Sequence, residues 1–406
     1  MMPTRWLLAL SVLVGCGSDP AKPDASLPDA APDAAPDAAT FLEAAHDPAP
    51  QVRSAGGVVI AAPKIVPIFF AGEDSQAQLE QFLTALAGSA YWTTLTADYG
   101  VGGLTILPSV VISDAPPTTD DALQVFLGTK ADGATLPLPD ANTIYTVFLP
   151  PGAALSTPFG DSCTAFGGYH DEITNGGAGQ GLIYALLPRC TGGQFSALDG
   201  ATSATSHEFF EAATDPHPFT APAFNVVDDA HAVWGLAPGG ELGDMCEYAD
   251  SAYVNDLVGS FVVQRQWSNS SAAAGHDPCV PVLGTPYLGA APRFTESLTL
   301  TNAQGVDVMT QGTSVPLSTS KTIEVDLFSD GPTADYTVQA IDGNVLFQQA
   351  PTLTFAFDRT TGHNGDKLNL TIQRTATNGG GGNVMLIATR NAAGATVGMW
   401  WGYVAE

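Results

Sequence analysis

Residues 206–216 read Ser206-His207-Glu208-Phe209-Phe210-Glu211-Ala212-Ala213-Thr214-Asp215-Pro216. Thr202 or Ser203 is placed to cap a helix ahead of this stretch, and Pro216 is placed to stop it. On a helix His207 and Glu211 lie one turn apart on one face, so a single divalent cation is within reach of both. The competing arrangement packs Phe209, Phe210 and Ala213 inward and leaves the glutamates in water.

Upstream, apolar runs suited to strands alternate with segments of helical period. Val58-Val59-Ile60, Ile65 to Phe70, Leu104 to Ile112, Ile144 to Leu149 and Gly181 to Leu187 are the strand candidates. Gln78 to Leu86 repeats apolar residues at Leu79, Phe82, Leu83 and Leu86. Thr118-Thr119-Asp120 can cap a second helix carrying Leu123, Phe126 and Leu127. Strands alternating with helices indicate an α/β core. Beyond Pro286 the helical signals stop. Seven short alternating runs follow, Phe294–Leu300, Thr322–Leu327, Tyr336–Ala340, Thr352–Phe357, Leu368–Gln373, Val384–Thr389 and Gly398–Val404, with turn signals between them. They predict an Ig-like β-sandwich over 285–406, an accessory or purely structural module.

The pattern from His207 is H-E-x-x-E, one residue away from the H-E-x-x-H of zinc metallopeptidases, in which the first Glu is the general base. Glu208 holds that place here. A catalytic metal needs a third protein ligand and an open position. Glu241 in Gly239-Gly240-Glu241-Leu242-Gly243-Asp244 is the preferred third ligand and Asp244 the second choice. Asp215, His217, His170 and Trp234 are further candidates to touch substrate or support the ligands. One His with two carboxylates would leave zinc nearly neutral, and an oxygen-rich set also admits calcium or manganese. Catalysis by Glu208 is therefore set beside a purely structural ion.

Acidic residues outnumber basic ones 41 to 13, a net charge of -28, which disfavours nucleic acid because phosphate binding needs a Lys/Arg footprint. Arg5, the apolar run Trp6 to Val14 and Leu13-Val14-Gly15-Cys16 read as a lipoprotein signal peptide over 1–15, with Cys16 the lipidated residue. Gly17 after Cys16, by resemblance to Gram-negative lipoproteins, favours the outer membrane or cell surface. Residues 16–51 read as a disordered stalk, since repeats of Pro-Asp-Ala-Ala hold almost no large apolar side chain. Four cysteines remain, Cys163, Cys190, Cys246 and Cys279. An even count in an exported chain reads as two disulfides with three possible connectivities, of which the sequence-local Cys163–Cys190 and Cys246–Cys279 is favoured.

The stretch from Val52 to Cys279 resembles the phosphate-induced, EXORDIUM-like family of exported proteins. The resemblance rests on Gly56-Gly57-Val58 with Ile65 to Phe70, Tyr91-Trp92, Leu136-Pro137-Leu138, and Tyr145-x-Val147-Phe148-Leu149. Cys163-x-x-x-Gly167-Gly168-x-His170 is similar to that family's Cys-x-x-x-Cys-Gly-x-His, with Gly167 in place of the second Cys. The His207-Glu208 form, followed by Trp234 and the Glu241–Cys246 segment, resembles bacterial relatives with a zincin-like core. The resemblance implies an α/β fold over 52–284, a zincin-like mixed sheet with an active-site helix, and an extracellular location. The expected activity is a surface-tethered, metal-dependent, peptidase-like hydrolase, with a non-catalytic EXORDIUM-like binding protein as the alternative. The expected partners are a peptide or cell-surface polymer, and the membrane through the lipid anchor alone. A monomer is expected.

Overall fold

The computed structural model describes residues 41–174, 177, 179, 181–191, 195–301, 305–377, 379 and 381–406. The expected signal peptide, Cys16 and the Pro-Asp-Ala repeat lie outside the described residues.

The first half is built on a mixed sheet. In chain order its elements are β1 (Lys64–Phe70), α1 (Gln76–Ala87), α2 (Ala90–Thr96), β2 (Thr105–Ile106), β3 (Val110–Ile112), α3 (Asp120–Lys130), β4 (Thr143–Phe148), β5 (Tyr169–Glu172), β6 (Ile183–Leu187) and α4 (Ala197–Thr214). β1, β4 and β6 run parallel, with β2 and β3 parallel to the outer side of β1. β5 pairs antiparallel with β6 and forms the far edge, placing His170 opposite Ala185. The three central strands are buried almost throughout, which is why they read as unbroken apolar runs rather than alternating ones.

Pleating divides these strands between two cores. Ile65, Phe69, Ile144 and Phe148 face α1 and α4, joining Leu79, Phe82, Phe209 and Phe210. Val66, Ile68, Tyr145 and Val147 face α3, joining Leu123 and Leu127. Thr119 caps α3 through the amide of Ala122, as its sequence predicts. On β5 the same alternation sends Tyr169 toward Asp120 of α3 and turns His170 and Glu172 to the α4 side.

The second half is β apart from the single-turn helix Gly343–Leu346. Leu288–Pro292, Ser320–Ser329, Lys367–Arg374 and Leu353–Phe357 form one four-stranded sheet in that order. Glu296–Thr301, Asp307–Ser314, Thr396–Ala405, Gly382–Arg390, Tyr336–Asp342 and Thr361–Gly362 form a six-stranded one. All seven expected runs fall on strands. Leu288–Pro292, Asp307–Ser314 and Thr361–Gly362 are additional.

Although expected as separate domains meeting near residue 285, the halves share one continuous core. The Trp234 ring meets Trp400, Tyr248 meets Trp401, and Thr310 Oγ1 accepts from the amide of Val233. Residues 41–51, expected as the end of a disordered stalk, are also packed. Asn364 bonds to both Ala44 and Leu42, the His46 ring stacks on Phe328 with centroids 3.5 Å apart, and the Gln51 amide donates to Asp228. This segment carries His46, whose ring packs on the second half, a group that the repeat before it lacks.

Candidate metal centre

α4 begins earlier than expected. Ser196, not Thr202 or Ser203, is the N-cap, accepting from the amide of Asp199. Thr202 is buried inside the helix and donates to the Val262 carbonyl. The helix ends at Thr214, before Asp215 and Pro216. It lies between the sheet and the strand Phe261–Gln264, so nearly every face from Ala201 onward is covered. Glu208 is 5% exposed and Glu211 3%, which rules out glutamates turned to water. Burying carboxylates in this way is costly unless something positive or hydrogen-bonding meets them.

For Glu211, backbone amides meet one oxygen and a histidine ring meets the other. Its Oε1 accepts from the amides of Gly243 and Asp244 at 3.0 and 3.1 Å. Its Oε2 lies 3.0 Å from His207 Nε2 and 3.7 Å from His170 Nδ1. His207 Nδ1 is bonded to Gln264 Oε1 at 3.1 Å, while the Gln264 amide nitrogen donates to the Gly243 carbonyl at 2.7 Å. Because the Gly243 carbonyl can only accept, Gln264 presents its oxygen to His207, and His207 Nδ1 is the donor. The neutral ring then carries its lone pair on Nε2, toward Glu211 and Asp244 Oδ1, the latter 3.6 Å away.

The same logic holds on β5. His170 Nε2 donates to the Asp215 carbonyl at 3.2 Å. Its Nδ1 faces Glu208 Oε2 at 3.5 Å, Glu211 at 3.7 Å and Glu241 Oε2 at 4.0 Å. Two sets of ligand atoms thus converge, His207 with Glu211 and Asp244, and His170 with Glu208 and Glu211. Glu241, the preferred third ligand, lies on the His170 side, and Asp244 is the carboxylate nearer His207. The segment bearing both passes so close that a Cβ on Gly243 would stand 2.9 Å from the His207 ring and 2.7 Å from Glu211. Cys246–Cys279 ties this segment down, and Cys163–Cys190 ties the loop before β5 to the chain after β6, the sequence-local pairing.

Charges in the cluster act strongly on one another. Burial pushes the carboxyl of Glu241 up, and Glu211 adds to this, bringing it to about 8. Burial likewise raises Asp244 and Glu247. Burial opposes protonation of His170, but Glu241, Glu208 and Glu211 outweigh it and hold the ring up to about 10. His207 is held well above its ordinary value against the same opposition, chiefly by Glu211. Burial would raise Glu211, yet His207 pulls it down to about 2. With no metal, protons on the two rings answer the carboxylate field.

The wall of the centre opens on a cleft of about 400 Å³, lined by Phe166, Gly168, Ser203, His207, Glu208 and Asp244 among others. A Cβ on Gly168 would meet Glu208 Oε1 at 2.9 Å, so Gly168 lets the loop approach the acid. His217 is not in the cluster. It pairs with Glu172 at 2.9 Å, and Glu172 also accepts from Thr220, pinning the turn after α4. Asp215 holds His170 through its carbonyl, and its side chain accepts from Ala223. Trp234 is a core residue against Trp267 and Trp400, not a cleft residue. Gln264 escaped sequence reasoning. Its only signal was Gln264-Arg265-Gln266, three polar residues continuing the apolar run Phe261 to Val263.

No protein-family model matches the chain, and no curated protein matches it. Among solved structures it is similar to metalloproteinase-II from Bacteroides fragilis, at 12% identity and a TM-score of 0.24, over 40% of this chain and 45% of that one. It is also similar to the titin M3 domain, at 13% identity and a TM-score of 0.16, over 23% of this chain and 85% of that one. The titin M10–obscurin-like 1 Ig complex is similar at 18% identity and a TM-score of 0.14, over 23% of this chain and 81% of that one. The chain thus spans under half of the metalloproteinase, and at these scores the likenesses define neither fold nor function.

Proposed function

We propose that this protein is a metal-dependent hydrolase, peptidase-like in chemistry, exported and held at the cell surface by a lipid on Cys16. The observation that carries the reading is the convergence of His207 Nε2 with Glu211 Oε2 at 3.0 Å and Asp244 Oδ1 at 3.6 Å, beside Glu208 on a cleft wall. His207, Glu211 and Asp244 would hold the cation, with Glu241 the alternative third ligand. A bound divalent cation would polarise a scissile carbonyl and acidify water. Glu208 would serve as the general base on the cleft wall, Gln264 keeps the His207 ring in its tautomer, and the amides of Gly243 and Asp244 hold Glu211 in place. Zinc suits a mixed His and carboxylate set, and calcium or manganese would suit its oxygen-rich side.

An EXORDIUM-like, zincin-like first half and an Ig-like second half remain our reading of the fold. The parallel pairing of Asp307–Ser314 with the last strand, in an otherwise antiparallel assembly, supports the Ig-like part. Two disulfides suit an oxidising compartment, and no described helix is long and apolar enough to cross a membrane. We take the substrate to be a peptide or cell-surface polymer and the protein to act as a monomer. A non-catalytic binding protein with a structural ion is favoured by one observation, that Glu208 Oε2 turns to His170.

The test is metal content of the purified protein together with chelator-sensitive hydrolysis of casein. Bound zinc that disappears in His207→Ala, with hydrolysis lost but metal kept at that seat in Glu208→Gln, supports the enzyme. Metal without any chelator-sensitive hydrolysis leaves the binding protein.

A further inference from the structure

Around His170 the distances are wrong for hydrogen bonds and right for something else. His170 Nδ1 faces three carboxylate oxygens at 3.5, 3.7 and 4.0 Å, separations longer than an ordinary N–H···O hydrogen bond. Donors about 2.1 Å from a tetrahedral cation stand roughly 3.4 Å from one another. In the His207 set Asp244 Oδ1 stands 3.6 Å from Nε2, a similar spacing, while Glu211 Oε2 is closer at 3.0 Å, within hydrogen-bond reach. The two sets meet only at Glu211, whose Oε2 faces both rings while Oε1 is occupied by backbone amides.

The His170 side chain is 3% exposed, and its Nε2 is spent on the Asp215 carbonyl, so the ring is fixed with Nδ1 toward the carboxylates. Charge balance points the same way. Glu208, Glu211, Glu241, Asp244 and Glu247 gather here, and among the described residues no Lys or Arg pairs with any of them. Apart from the two imidazoles no cationic side chain of the described residues answers these carboxylates, so any further positive charge comes from outside the chain. Uncompensated buried charge is what such a cluster cannot tolerate.

We propose that the centre seats two divalent cations bridged by Glu211, the second held by His170, Glu208 and Glu211 with Glu241 beside it. This rests on the metal-centre reading above and deepens it. The bridge is a single oxygen, which sets the cations about 3.5–4 Å apart, the spacing of two-metal hydrolytic sites. Glu208 then serves the second seat through Oε2. Its Oε1, turned toward Gly168, stays available to take a proton from water.

The experiment uses the full chain, stripped with chelator and reloaded with Mn2+, and read by elemental analysis and electron paramagnetic resonance. Wild-type protein is expected to hold about two Mn2+ with an exchange-coupled spectrum. His170→Ala is expected to lose one equivalent and the coupling. A wild-type protein with one Mn2+ and an isolated six-line spectrum overturns the second seat and leaves the proposed function standing, and so does His170→Ala that keeps both ions. No bound Mn2+ or Zn2+ in wild type overturns both. The wild-type spectrum decides the matter even where the His170 variant does not fold.

Discussion

Two buried carboxylates, one in each half of the molecule, are treated in opposite ways. Asp342, at a strand end in the six-stranded sheet, accepts from the amides of Asn344, Thr352 and Leu353 and from the Asn383 side chain. Both of its oxygens are answered by neutral donors of the protein, and it needs nothing from outside. Glu211 is equally buried, but only Oε1 is so treated, and Oε2 opens toward two imidazoles and more carboxylates. A fully satisfied buried acid holds structure together. One whose second oxygen is met by histidine rings amid further carboxylates has a donor set that could take up a cation.

That contrast can be broken by mutation. The largest effect is expected at His207→Ala, which should remove metal from its seat and abolish hydrolysis, while Asp342→Ala leaves the metal content unchanged. Next is Glu208→Gln, with kcat expected to fall roughly 10²–10⁴-fold and the His207 seat still filled. For stability the order reverses. Asp342→Ala strands four donors and should cost about 2–4 kcal/mol in urea unfolding, whereas Glu241→Gln should stabilise the metal-free protein at pH 8 by about 1–3 kcal/mol.

The pH dependence sharpens the same comparison. Glu241 is raised to about 8 in the folded state, so the fold binds its proton more tightly and loses stability as pH rises from its unfolded value through 8. His170, raised to about 10, contributes stability that is complete below its unfolded value and lost as pH rises through 10. Metal-free protein should therefore melt at a lower temperature at pH 9 than at pH 6, and metal should shrink that difference. A melting temperature that does not change with pH would mean the cluster is not coupled as its geometry indicates. The smallest effect is on heat. Metal binding at pH 7 displaces imidazole protons, so its measured enthalpy should vary with the ionisation enthalpy of the buffer.

How much of this could be read beforehand follows from how far each contact reaches along the chain. His207, Glu208 and Glu211 were legible because a helix converts spacing in sequence into position on a face. β1, β4 and β6 were legible because a strand buried on both sides must be apolar throughout. The choice between Glu241 and Asp244 was not, since three residues on an irregular segment do not say which carboxylate turns inward. His170 could be flagged within its glycine-rich loop, but only the antiparallel edge position of β5 brings it to α4. The strand Asp307–Ser314 was missed because it is polar and contains Gly312, where a Cβ would stand 2.5 Å from the Tyr403 carbonyl. That glycine looks like a turn in sequence and serves a close strand crossing in the fold.

The packed segment 41–51 has a mechanical consequence. Any pull on the chain upstream of residue 41 reaches Asn364 and Phe328 of the second half first, and only then Asp228 and Asn269 of the first. The load is divided between both halves before it can act on α4. A protein tugged by its leading end would thus shed force through this strap, one anchoring contact at a time, while the geometry around Glu211 stays at rest.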